Sequence, residues 1–198
     1  MRINYLFVIC LIICSTNIIL AQSYHKDNKN DYDLLLDKYL SLDIIKTNIS
    51  EPVYWTFHCR ILPGWSEHKE RLIIIYEKNR DSLFYKFMIP KDSSINSYYF
   101  KNVDINKINI PMDVYEGYVN NDIDFYNLVK RINSNYCINL LDMPSYVLDA
   151  DYYECTFNKF GQLACFRLNS FDKDTKQILI LIDEIEKKIL EKNNLSEP

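Results

Sequence analysis

Six cysteines, three histidines and 27 carboxylates are the side chains of this 198-residue chain best able to do chemistry. Each carries a constraint. His58 and Cys59 are neighbours in a strand-like run, so alternation sends their side chains to opposite faces and denies them a direct nucleophile–base pair. Neither Cys-x-x-Cys nor His-Glu-x-x-His occurs, so no zinc-binding spacing is present. Asp149 and Asp151 stand two apart with Glu154 nearby, and Asp122 and Asp124 repeat the spacing. Paired carboxylates can hold calcium or act as acid and base, but neither pair has the glycine that an EF-hand loop needs. The expectation is a solvated connection around Asp149 and a helix cap at Asp122.

Glycine narrows the chemistry further. Only Gly64, Gly117 and Gly161 occur, all isolated. A phosphate-cradling loop needs clustered glycines so that backbone N–H groups can approach the anion, and a nucleophile elbow needs Gly-x-Ser-x-Gly. Neither can be written on this chain, so no catalytic residue, metal ligand or cofactor is assigned.

The cysteines read better as staples. The first 21 residues have a short positive start at Arg2, an apolar run from Tyr5 to Ile13, and Leu20-Ala21 before Gln22. That is the layout of a secretory signal peptide cut after Ala21, and it takes Cys10 and Cys14 with it. Ser15, Thr16 and Asn17 interrupt the run before it reaches membrane-spanning length. An uncleaved anchor is the rival reading. Cys59, Cys137, Cys155 and Cys165 remain, an even number in a chain expected to be secreted or periplasmic, which favours disulfides. Asn158-Lys159-Phe160-Gly161 suits a three-residue hairpin loop pairing Asn158 with Gln162. Counting outward sets Cys155 opposite Cys165 and leaves Cys59 for Cys137.

Binding residues are sought on loops and aromatic clusters. Trp65 and His68 lie just past the Pro63-Gly64 break, and large aromatics beside turns are favoured anchors. Tyr98 and Tyr99, followed by Phe100, form a second cluster. Asn, Ile, Lys and Tyr are abundant while Gly and Ala are scarce, a skew typical of gene base composition. The 16 tyrosines therefore carry less weight as a binding signal.

Several elements must position these groups. A polar tail over 22–30 precedes a helix from Asp31, as N-cap, through about Lys46. Val53 to Leu62 alternates with one face buried, and Arg71 to Glu77 and Leu83 to Ile89 follow as strands, with another over 97–103. Residues 113–133 read as helix, with Ile123, Tyr126, Val129 and Ile132 as the stripe. Short strands at 136–141 and 145–148, the hairpin over 152–168, and a helix over 175–192 complete the chain. That last helix has its stripe at Ile178, Ile182, Ile185 and Ile189, and pairs Glu184 with Lys188 and Asp183 with Lys187 on its wet face. The expectation is one α+β domain over 31–198, an antiparallel sheet of about five to seven strands with three helices mainly on one face.

Net charge is −4, becoming −5 once Arg2 leaves with the leader, and no long basic run is present. Nucleic acid is an unfavoured partner, and no membrane contact is expected after cleavage. The leading expectation is an exported, non-catalytic domain that binds a protein, as an inhibitor, immunity-type neutraliser or envelope accessory. Two rivals are a small exported hydrolase using Asp149, Asp151 or His68, and a carbohydrate-binding module using Trp65 and the Tyr98 cluster.

Overall fold

Two apolar runs, Trp55–Leu62 (β1) and Arg71–Glu77 (β2), lie side by side at the centre of a six-stranded antiparallel sheet. The computed structural model describes residues 30–42, 53–64, 68–78, 82–101, 104–134, 150–159, 162–170 and 176–196. The other strands are β3 (Leu83–Pro90), β4 (Met112–Tyr118), β5 (Tyr152–Lys159) and β6 (Gln162–Asn169), in the order β4-β3-β2-β1-β5-β6. Among the described residues the α-helices are α1 (Asp31–Tyr39), α2 (Ile95–Lys101), α3 (Ile123–Ser134) and α4 (Lys176–Lys192). The fold is α+β on an antiparallel sheet, as the sequence implies, with one helix more than expected.

The helices cover both faces of the sheet rather than mainly one. β2 shows why: Ile73 and Ile75 join the core under α3 and α4, while Leu72 and Ile74 join a second core with Leu35, Leu36 and Leu40 of the α1 segment and Ile95 of α2. β1 is likewise buried on both sides, with Thr56, His58 and Arg60 buried as well as Phe57 and Cys59. Its polar alternate residues are therefore not a wet face. Arg60 donates to Glu154 at 2.7 Å and to Asp37 of α1 at 3.0 Å, which compensates the burial of its charge.

Local signals account for the helix starts. Asn30, not Asp31, caps α1: its side chain accepts from Asp33 N at 2.9 Å, and the Asp33 carboxylate accepts from Asn30 N at 3.3 Å. Asp122 caps α3, accepting from Phe125 N and Asp124 N at 3.0 Å each. The bond from Phe125 N chiefly holds the Asp122 carboxyl below its usual range. The buried stripe of α3 is Phe125, Val129 and Ile132, and Ile123, expected to begin that stripe, is 69% exposed. α4 buries Ile182, Ile185 and Ile189, as its periodicity requires.

Three local readings are corrected. Residues 113–118, read as the start of a helix, belong to the edge strand β4, which pairs with β3 from Phe84↔Tyr118 to Pro90↔Met112. Residues 97–101, read as strand, are in α2. The β5–β6 hairpin pairs Lys159 with Gln162, which shifts its register one residue from the expected Asn158–Gln162 pairing. Cys165 therefore faces Thr156, while Cys155 faces Phe166, and the Cys155–Cys165 bond is ruled out because adjacent residues of a strand point to opposite faces. Cys137, and with it the Cys59–Cys137 pairing, lies outside the described residues, as do residues 1–29 and the short strands expected over 136–148. No described helix is long and apolar enough to cross a membrane.

Candidate functional site

α2 is seven residues long, too short to hold its shape alone, and its anchoring comes from a distant carboxylate. Glu70, buried just before β2, accepts from Ile95 N at 2.6 Å and from Asn96 N at 2.9 Å. Those are first-turn N–H groups with no partner inside the helix, and the negative charge also suits the helix N-terminus. Tyr32 of α1 donates its hydroxyl to the same carboxylate at 2.7 Å. Burial, then the neighbouring Glu70 charge, push the Tyr32 hydroxyl far above its ordinary pKa, so it stays a donor. Ser94 completes the anchor, its Oγ accepting from Ser97 N at 3.1 Å.

This anchor sets the aromatic cluster. Tyr98 and Tyr99 are half-buried and pack against the second core. Tyr99 meets Tyr32 at 6.0 Å between ring centroids with the planes at 51°, and meets Phe100 at 5.5 Å and 56°. Phe100 projects from the end of this stack at 77% exposure, the most exposed of the large apolar side chains described. The three rings are tilted, so they form a stepped edge rather than a flat stacking platform.

A second group of polar side chains lies under the opposite face. Arg71 and Glu186 form a bidentate pair, with Arg71 Nη2 donating to Glu186 Oε2 at 3.0 Å. Burial alone would lower the Arg71 pKa, but the Glu186 carboxylate more than reverses this, and the guanidinium stays charged. Tyr153 donates to Asp183 at 3.1 Å. Burial raises the Tyr153 hydroxyl well out of the physiological range and also raises the Asp183 carboxyl. These contacts tie the starts of β2 and β5 to α4. They occupy Asp183 with Tyr153 rather than with the expected Lys187.

The remaining sequence candidates are dispersed. Trp65 and Asp149 lie outside the described residues. His68 is exposed between β1 and β2. The Asp151 carboxylate accepts from Gly64 N at 2.8 Å and so joins the end of β1 to the start of β5, a structural role. Cys165 is exposed and shares one face with Thr156 and His58, each on the next strand in; Thr156 Oγ1 lies 3.8 Å from Cys165 Sγ, which separates the thiol from the imidazole by a whole strand. Among the described residues, no group of three or more His, Cys, Asp or Glu side chains is placed to hold a metal.

Sequence reasoning singles out Tyr98 and Tyr99 as candidates but not Glu70 and Tyr32, which position their helix. Glu70 carries no local signal, since its helix begins 25 residues later in the chain. The sequence matches no protein-family model and no curated protein.

Proposed function

We propose that the chain is an exported domain that acts by binding a protein, and that Phe100 is the side chain it inserts into an apolar pocket of that partner. The observation that carries this reading is a Phe side chain left 77% exposed while its helix is fastened at the other end by a buried carboxylate. Rigidly presented aromatics make efficient anchors, because much apolar area is buried with little side-chain entropy lost. The tilt of the three rings favours a protein over a sugar, which stacks best on a flat aromatic surface. Export rests on the leader's composition alone.

The test compares the wild-type chain with Phe100→Ala and Tyr54→Ala as baits for proteins from the producing organism. Tyr54 is 40% exposed and bonds to Glu77 at the far end of β2 from Glu70, so it controls for exposed aromatic surface as such. A protein retained by the wild type and by Tyr54→Ala, but lost with Phe100→Ala at unchanged thermal stability, supports the reading. Equal capture by all three baits overturns it.

A further inference from the structure

Cys59 on β1 and Cys155 on β5 are directly opposed residues of adjacent antiparallel strands. Both are fully buried in the core beneath α4, and their Sγ atoms are 3.5 Å apart. Directly opposed antiparallel residues have Cα atoms about 4.5 or 5.5 Å apart, and both values fall within the range a disulfide spans. Bringing the sulfurs to bonding distance therefore needs side-chain rotation and no change in strand pairing.

We propose that Cys59 and Cys155 form a disulfide that staples the middle of the sheet, and that it forms while the chain folds. Two thiol–disulfide exchanges make the bond. A thiolate of one cysteine attacks the disulfide of an oxidant such as oxidised glutathione, giving a mixed disulfide and one released thiol. The second cysteine's thiolate then attacks the first cysteine's sulfur and expels a second thiol. Two electrons pass from the protein to the oxidant, and the two thiol protons end on the released thiols.

The timing follows from burial. Exchange requires a thiolate and access to it. In the folded chain both sulfurs are sealed from solvent, and burial, reinforced by the neighbouring Cys155, pushes the Cys59 thiol upward. The completed fold therefore resists oxidation of a reduced pair and resists reduction of an oxidised one. Exposed Cys165 provides the internal contrast, open to reagents in the folded state. The export reading enters only as the source of an oxidising compartment, and the test below does not depend on it.

The full chain is reduced in denaturant and then handled in two ways. One sample refolds in a glutathione redox buffer; the other refolds reduced and meets the same buffer afterwards. Both are blocked with N-ethylmaleimide in denaturant and mapped after cleavage at aspartates and lysines, since Asp142, Asp149 and Asp151 separate Cys137 from Cys155 and Lys159 separates Cys155 from Cys165. The expected result is a linked Cys59–Cys155 peptide in the first sample, absent from the second over the same time. The linked form should melt on the order of 10 °C higher, because the bond closes a loop of roughly 100 residues. A variant with serine at Cys10, Cys14, Cys137 and Cys165 isolates the pair and should lose about 2 Da on oxidation during refolding. Should that variant not fold, the wild-type map still decides. A refolded chain in which Cys59 and Cys155 both carry the maleimide overturns the pairing, and equal linkage in both samples overturns the timing.

Discussion

Replacing Glu70 with alanine tests whether one carboxylate holds α2 in place. The substitution strips acceptors from three donors at once: Ile95 N at 2.6 Å, Asn96 N at 2.9 Å and the Tyr32 hydroxyl at 2.7 Å. Hydrogen bonds to a charged group contribute about 1.5–3 kcal/mol each, and a buried donor left without a partner costs about 1–3 kcal/mol. The three share one acceptor, so their losses do not add, and a total of about 3–5 kcal/mol is expected. Glu70→Gln refines the test. An amide oxygen in the Oε1 position keeps Asn96 N and Tyr32, but the amide NH2 then meets the Ile95 N–H donor to donor. That variant should lose about half as much, about 1.5–2.5 kcal/mol. Urea denaturation with a common m-value reads both losses, and amide exchange over residues 95–101 localises them. If both variants unfold within about 0.5 kcal/mol of wild type, the anchoring argument is wrong.

Other perturbations probe the frame around that site. An added Cβ at Gly117 would stand 2.5 Å from Cε1 and 2.7 Å from Cζ of buried Tyr85, whose hydroxyl is held by Asn193 at 3.0 Å. Gly117→Ala should therefore cost about 1–3 kcal/mol in thermal or urea unfolding, and an unchanged midpoint would mean the ring is free to move. Arg71→Met leaves Glu186 as an unpaired charge that is only 8% exposed and should cost about 3 kcal/mol, whereas Arg71→Met with Glu186→Leu should recover most of it. Equal losses in the single and double variants would refute the pairing argument. Burial raises the Asp183 carboxyl above its ordinary 3.8, against the lowering effect of the Tyr153 bond. The folded state then keeps a proton the unfolded chain has released, so this group's contribution is full below 3.8 and is lost as pH rises through the raised value. Asp183→Asn removes that dependence, so its stability relative to wild type should climb across the interval and level off above it; a relative stability that falls there contradicts the assignment.

The elements legible in the sequence are those whose partners impose a simple period. α4 shows its stripe because one side meets the sheet and the other meets water, and β1 to β3 stand out as apolar runs with breaks between them. Arg60 was misleading: it reads as solvent-facing, but Asp37 and Glu154, 23 and 94 residues away in the chain, let its charge be buried. α2 reads as strand for a related reason. Tyr98-Tyr99-Phe100 has strand propensity, and the carboxylate that starts the helix lies elsewhere in the chain. β4 is an edge strand carrying Asp113 and Glu116, so it lacks the alternation that marks a half-buried strand. The hairpin register turned on a single residue of loop length, and the turn composition suits more than one length. The observed register puts Cys155, Phe157 and Leu168 on the side of the sheet that meets α4, and β5 also lies against β1, about half a chain length earlier in the sequence. None of that pairing is written locally.

If Phe100 meets another protein, a photo-crosslinking residue placed at that position in the producing cell will capture that partner. With p-benzoylphenylalanine at position 100, irradiation should yield an adduct heavier than the chain by the mass of a second protein, and the same probe at Tyr54 should yield none. No adduct from position 100, or the same adducts from both positions, would mean that Phe100 is not a docking residue.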